Sequence, residues 1–133
     1  MRWFGKDKQP DVWEVADDQP LGDIDAAHKI RDICNAASAI ADKLVAAGTR
    51  DAEKKLAADA ARYQAAIKRA LEIAMQISDD SMRDVSVSQI IRLCVTVDHM
   101  KTARVLLRAI QSDKTRAELV ADHSVLIDQE AAS

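Results

Sequence analysis

The sequence predicts an all-α fold: an up-and-down bundle of three long helices plus a shorter C-terminal helix, preceded by an irregular N-terminal arm. Three observations carry this. Breakers are scarce, with 3 Gly and 2 Pro in 133 residues, and alanine supplies much of the 48% hydrophobic fraction; such a composition favours helix. Apolar residues recur at alternating spacings of four and three over two long stretches, the period of a helix seam. Helix-start signals then recur further along the chain. A chain of this length makes one domain whose core needs no metal or disulfide staple.

Residues 1–20, MRWFGKDKQPDVWEVADDQP, form the arm, and residues 21–133 the bundle domain. The arm holds both prolines, both tryptophans and the only Phe. Its acids and prolines oppose regular structure. Trp3, Phe4 and Trp13 are costly to leave in water, so docking is expected, on the bundle or on a partner. The aromatic and basic residues of MRWFGK also fit contact with a membrane surface.

The first long helix should start near Asp23, where Asp23 or Asp25 can cap it and complement its positive end. Ala26, Ile30, Ile33, Ala37, Ile40, Leu44 and Ala47 form its seam, and Gly48 its stop. Thr49 can cap the second helix, whose seam is Leu56, Ala60, Tyr63, Ile67, Ala70, Ala74 and Ile77. Reversal at GTR sets Ile40 opposite Leu56, Ala37 opposite Ala60, Ile33 opposite Tyr63 and Ile30 opposite Ile67. Facing alanines bring the axes toward the low end of the ~8–10 Å range. A buried Leu or Ile gives roughly 1.5–3 kcal/mol and alanine far less. The hairpin therefore needs a second layer, and Leu71, Ile73 and Met75 need cover.

SDDSMRDVS reads as a connector. Ser86 with Gln89 makes a capping box and Val85 with Ile90 a hydrophobic staple, which starts the third helix near Val87. Over residues 89–110, QIIRLCVTVDHMKTARVLLRAI, the apolar face changes. Ile90, Leu93, Cys94 and Val97 share one side. Met100, Ala103, Leu107 and Ile110 share nearly the opposite side at ~100° per residue. Three arrangements explain this: a break at Asp98, which would cap a new helix at His99; a continuous helix whose halves meet different neighbours; or a continuous helix covered nearly all round. Matching the hairpin's length favours the second. Ser112 or Asp113 can cap a final helix with a weak stripe of Ala117, Val120, Ala121 and Ile127.

Charged residues make up 31% of the chain and the net charge is −3. That balance suits a soluble cytoplasmic protein and exerts no global pull on nucleic acid or anionic membrane. The two ends are acidic, while residues 82–116 are locally basic. No apolar run is long enough to span a membrane. Cys34 and Cys94 belong to no CxxC pair and read as buried free thiols. His28 and Asp32 sit four apart, but two ligands make no metal site, and no Glu-x-x-His occurs for a di-iron bundle. His99 and His123 each follow an Asp, yet adjacent helical residues point ~100° apart, so neither dipeptide forms an Asp–His contact by itself. There is no glycine-rich phosphate loop, GxSxG or HExxH. No catalytic residue, cofactor or metal is expected.

The expected function is therefore non-catalytic: a cytoplasmic helical interaction and assembly module that self-associates as a two-fold dimer. Ile91, Val95, Val105 and Leu106 lie off the main stripes of the third helix, and the final helix is too weakly patterned to hide everything. With Trp3, Phe4 and Trp13 they are the candidate partner-binding residues. The alternative is a helix-turn-helix-like DNA-binding regulator using residues 90–111, with Lys101, Arg104 and Arg108 toward the nucleic acid. That reading requires the break at Asp98. Its turn lacks the glycine such motifs often carry, and the chain is acidic overall, so nucleic acid is the weaker expectation.

Overall fold

The computed structural model describes residues 11–14, 21–46 and 52–126. The Gly48 stop, the Thr49 cap, Trp3, Phe4, Ala47 and Ile127 lie outside them, as does the Leu44 side chain. Among the described residues the helices are α1 (Asp23–Ala46), α2 (Ala52–Ala58), α3 (Ala60–Ala74), α4 (Asp80–Thr96), α5 (Met100–Ala109) and α6 (Asp113–Asp122). Single 3-10 turns occupy Val12–Glu14 and Ser124–Leu126, and no strand occurs among the described residues. The all-α bundle is the fold.

Two aspartates set the direction of the helices. Asp23, in the first turn of α1, accepts from the Ser78 and Asp79 amides at 3.0 and 3.1 Å and from the Ser78 hydroxyl at 2.9 Å. The start of α1 thus meets the end of α3, and the two run antiparallel. Asp84, on α4, accepts from the Gln111 amide at 3.2 Å and the Ser112 amide at 2.9 Å. The end of α5 is thereby held beside the start of α4. The chain runs up, down, up, down and up, with α1, α4 and α6 all starting at one end of the bundle.

The alanine seam of the first hairpin is present. Ala26, Ile30, Ile33 and Ala37 of α1 are buried, as are Tyr63, Ile67, Ala70 and Ala74 of α3 and Ile77 just after it. Beyond Ala37 the α1 seam moves to Ala41, and Ile40 is only half-buried; a straight helix of 3.6 residues per turn drifts from a strict heptad in this way. Leu56 and Ala60 are half-buried as well. At Asp59 the ladder continues, since its amide donates to Lys55 O at 3.0 Å and the Tyr63 amide donates to Asp59 O at 3.1 Å. α2 and α3 are one rod with a local irregularity. Ile73 receives the cover it needed and Leu71 part of it, while Met75 stays exposed.

α4 is the central helix. It packs on α1, α3, α5 and α6, and it buries Asp84, Ser86, Val87, Ser88, Ile90, Ile91, Leu93 and Cys94. This corrects the expected start near Val87. Asp79 caps the helix, accepting from the Ser81 amide at 3.1 Å, so α4 begins at Asp80. Ser86 lies inside the helix and is buried, while Val85 is exposed and Ile90 buried, so they form no staple. Asp23 decides the point: it takes the Ser78 and Asp79 amides and starts the helix well before the expected capping box.

The continuous third helix is corrected too. α4 ends at Thr96 and α5 begins at Met100. The His99 amide donates to Cys94 O at 2.7 Å and the Asp98 amide to Val95 O at 3.3 Å, the paired bonds of a Schellman ending. Asp98 holds the left-handed position at φ 63°. Glycine is usual there, but a short polar side chain tolerates it better than most. Asp98 therefore ends α4 rather than capping α5. The break re-phases α5, which buries Ala103 and Leu106 with Ile110 just beyond its end. Leu106 thus joins the stripe it was expected to miss.

The last helix starts as expected, with Ser112 Oγ accepting from the Thr115 amide at 3.2 Å. Its buried residue is Leu119, whereas Ala117 and Ala121 are exposed and Val120 half-buried. Of the N-terminal arm, residues 11–14 dock on the chain's own bundle against α1 and α3. Trp13 is 4% exposed. Asp11 accepts from Arg62 Nε at 2.9 Å and Nη2 at 2.7 Å, and the Arg62 guanidinium stands 6.0 Å from the centre of a Trp13 ring. The paired bonds and the ring contact hold the guanidinium between carboxylate and indole.

Asp84→Ala leaves two amides without their acceptor, so it should lower unfolding free energy by about 1–3 kcal/mol; Asp84→Asn, able to accept from one amide only, should fall between, both read by chemical denaturation. The two bonds from Ser78 hold the Asp23 carboxyl below its ordinary range; desolvation opposes them, and the Asp79 amide and the Arg83 charge add smaller lowering effects. Its contribution is complete above the unfolded aspartate pKa and disappears as pH falls through the lowered folded value. Asp23→Asn should therefore flatten the loss of stability below about pH 4, and an unchanged acid limb would contradict this role.

Candidate interaction surfaces

Two concave surfaces stand out, one against α5 and one between α1 and α4. The first lies on the outer face of α5. Leu71 of α3 with Lys101, Thr102, Arg104, Val105, Leu106 and Arg108 of α5 line an open groove of about 570 Å³. Its floor is apolar: Leu106 is buried, Leu71 half-buried, and Val105 59% exposed. Its walls carry three cations, and no acidic side chain is among the described residues that line it. Spacing explains the arrangement. Lys101, Arg104, Val105 and Arg108 fall within one arc of α5, opposite Ala103 and Ile110 in the core.

The cations differ in their commitments. Arg104 is half-buried, and its Nη2 donates to Val125 O at 3.0 Å, tying α5 to the 3-10 turn after α6. Lys101 and Arg108 are exposed at the rim. The three alternative nucleic-acid residues thus do come together, but as the wall of a hollow rather than on a projecting ridge.

The second surface joins α1 and α4. Ala27, Ser81, Met82 and Val85 line a shallow depression of about 260 Å³ that shows solvent only apolar atoms. Ile24, one turn before Ala27, is 65% exposed, and Val85 is 59% exposed. Since α1 and α4 run side by side in the same direction, the pairs Ile24–Ala27 and Met82–Val85 form two short parallel apolar ridges. None of these four was among the expected partner-binding residues. Their signal was hidden because MRDV looked like a connector, so Met82 and Val85 were not placed on a helix.

The expected partner-binding residues are dispersed. Trp13, Ile91 and Leu106 belong to the chain's own core, Val95 is half-buried against it, and Val105 is exposed in the α5 groove. Trp3 and Phe4 lie outside the described residues. A third hollow, of about 390 Å³, brings Leu56, Ala57 and Ala60 to Val97, Asp98 and His99 at the far end of the bundle. His99 Nδ1 meets Val97 O at 3.2 Å. A carbonyl can only accept, so Nδ1 carries the proton in that bond. Among the described residues, no three His, Cys, Asp or Glu side chains gather as metal ligands would.

Cys34 of α1 and Cys94 of α4 are free and buried. Burial pushes both thiols up to about 12, and Cys34 adds to the rise at Cys94. A thiol held protonated at neutral pH is a poor nucleophile.

No protein-family model, curated protein or solved structure matches the chain.

In the native protein at neutral pH both thiols should react with an aromatic disulfide reagent far more slowly than free cysteine does. Denaturant should release both at once. A fast-reacting thiol before unfolding would contradict their packing.

Proposed function

We propose that the protein is a non-catalytic helical interaction module that self-associates through the α1–α4 face. The observation that carries this reading is the uniformly apolar depression of Ala27, Ser81, Met82 and Val85, flanked by the exposed Ile24. A contiguous apolar patch on a folded surface marks a partner site more often than scattered single residues do. A second copy is the simplest complement, because a two-fold axis sets the same ridges against each other. The bulk of the core closes within one chain, with Ile91, Ile90, Leu93 and Leu106 all buried. The interface is therefore a small one, below the ~800 Å² per partner of a standard complex, and association should be weak and concentration-dependent.

One observation favours the second reading, a helix-turn-helix-like DNA-binding regulator. The break at Asp98 that it requires is present, and Lys101, Arg104 and Arg108 share the helix after the turn. Against it, a reading helix must project into a major groove ~12 Å wide, whereas this basic face walls a hollow and Arg104 is bonded to Val125 O. No helix of the described residues is long and apolar enough to cross a membrane.

Sedimentation or light scattering over a wide concentration range should show reversible dimers. The double variant Ile24→Glu with Val85→Glu, both at exposed positions, should leave the helical circular dichroism unchanged and weaken dimerisation at least ~10-fold. A monomer at all concentrations, or a dimer indifferent to these substitutions, would overturn the reading.

A further inference from the structure

The α4–α5 turn holds an aspartate where glycine is the unstrained residue, and holds it at the edge of a hollow. Asp98 stands at φ 63°, a backbone conformation that disfavours residues with a Cβ. Ending α4 needs no carboxylate there, since the closing bonds come from the Asp98 and His99 amides. A non-glycine residue kept in this conformation points to a use for its side chain. We propose that the hollow of Leu56, Ala57, Ala60, Val97, Asp98 and His99 binds a small organic cation: a primary ammonium on a short hydrocarbon stem.

Three features select that ligand. The volume of about 390 Å³ falls low in the range of small-molecule sites, ~300–1,000 Å³, so the ligand is small. Leu56, Ala57, Ala60 and Val97 offer it an apolar side. The polar side is negative twice over. The Asp98 carboxylate makes no hydrogen bond or ion pair among the described residues. The hollow also adjoins the carbonyl end of α4, which favours cations, and the last turn of α4 holds no basic residue. No Lys or Arg is among the described residues that line the hollow.

His99 completes the set. Its Nδ1 directs a proton to Val97 O at 3.2 Å, so the neutral ring keeps Nε2 as an acceptor. An ammonium group carries three donors, enough for the Asp98 carboxylate and for Nε2 together. An anion would meet the carboxylate and the negative helix end. A neutral alcohol would use the apolar side but gain nothing from the charge. A metal ion would find one carboxylate and one imidazole, too few ligands for a site. The hollow is separate from the α1–α4 face, and its occupancy does not depend on self-association.

The test titrates the full chain, labelled with nitrogen-15, with n-hexylamine hydrochloride at neutral pH and follows the amide resonances. Saturable shifts should centre on residues 56–60 and 97–99. n-Hexanol should bind at least ~10-fold more weakly, and hexanoate more weakly still. Asp98→Gly should weaken amine binding at least ~10-fold while the thermal midpoint holds or rises, because glycine suits the left-handed backbone. Asp98→Asn, which also tolerates that backbone, should weaken binding likewise and preserves the test if glycine alters the turn. Ala57→Leu, at an exposed helical position, should fill the hollow and abolish binding with helical circular dichroism unchanged. No saturable shift, shifts centred elsewhere, equal binding of hexanol or hexanoate, or full binding by the Asp98 variants would each overturn the proposal.

Discussion

The bundle is organised from one end, by two carboxylates that each hold the two amides just ahead of a later helix. Asp23 takes the Ser78 and Asp79 amides ahead of α4, and Asp84 takes the Gln111 and Ser112 amides ahead of α6. The two clamps are alike in kind. In each, a side chain near the start of one helix satisfies the entry to a parallel neighbour, where backbone donors lack intrahelical partners. The positive ends of α1, α4 and α6 therefore gather together, and Asp23, Asp79, Asp80, Asp84 and Asp113 supply compensating charge there. Apolar packing is non-directional; these bonds select which helix stands beside which.

That constraint is also why the sequence was legible only in parts. Local signals were readable. The α1 start at Asp23, the α6 cap at Ser112 and the α3 seam from Tyr63 to Ile77 all depend on residues within a few turns of one another. The start of α4 was not readable, because the acceptor that fixes it lies some fifty residues earlier and no periodicity reports such a bond. The break at Asp98 was visible as a change of apolar face, but a continuous helix whose halves meet different neighbours explained that change too and matched the hairpin's length. An aspartate in place of glycine concealed the left-handed residue that decides between them. The breadth of burial on α4 had a related cause: a helix covered on most sides shows no strong stripe.

The candidate surfaces follow from the same facts. Residues chosen for lying off the stripes, such as Ile91 and Leu106, turned inward once the helix was divided and α4 became central. Residues read as connector, such as Met82 and Val85, turned outward on a helix that began earlier than expected. Lys101, Arg104 and Arg108 were found together from spacing alone, because they share one short helix. The apolar floor beneath them was not, since Leu71 comes from a distant segment.

α6 shows how unevenly such a bundle is fastened. It buries Leu119, and the turn after it Leu126; among the described residues Asp84, the Arg116–Ile110 bond, the Arg104–Val125 bond and an exposed Arg92–Asp122 pair add to these. A segment with so few apolar anchors opens by local unfolding at a fraction of the global free energy. Its amides then exchange with solvent deuterium while α1, α3 and α4 remain protected. Such an opening would free Arg104 from Val125 O, so the hollow beside α5 is tied to how firmly the segment after α6 stays in place.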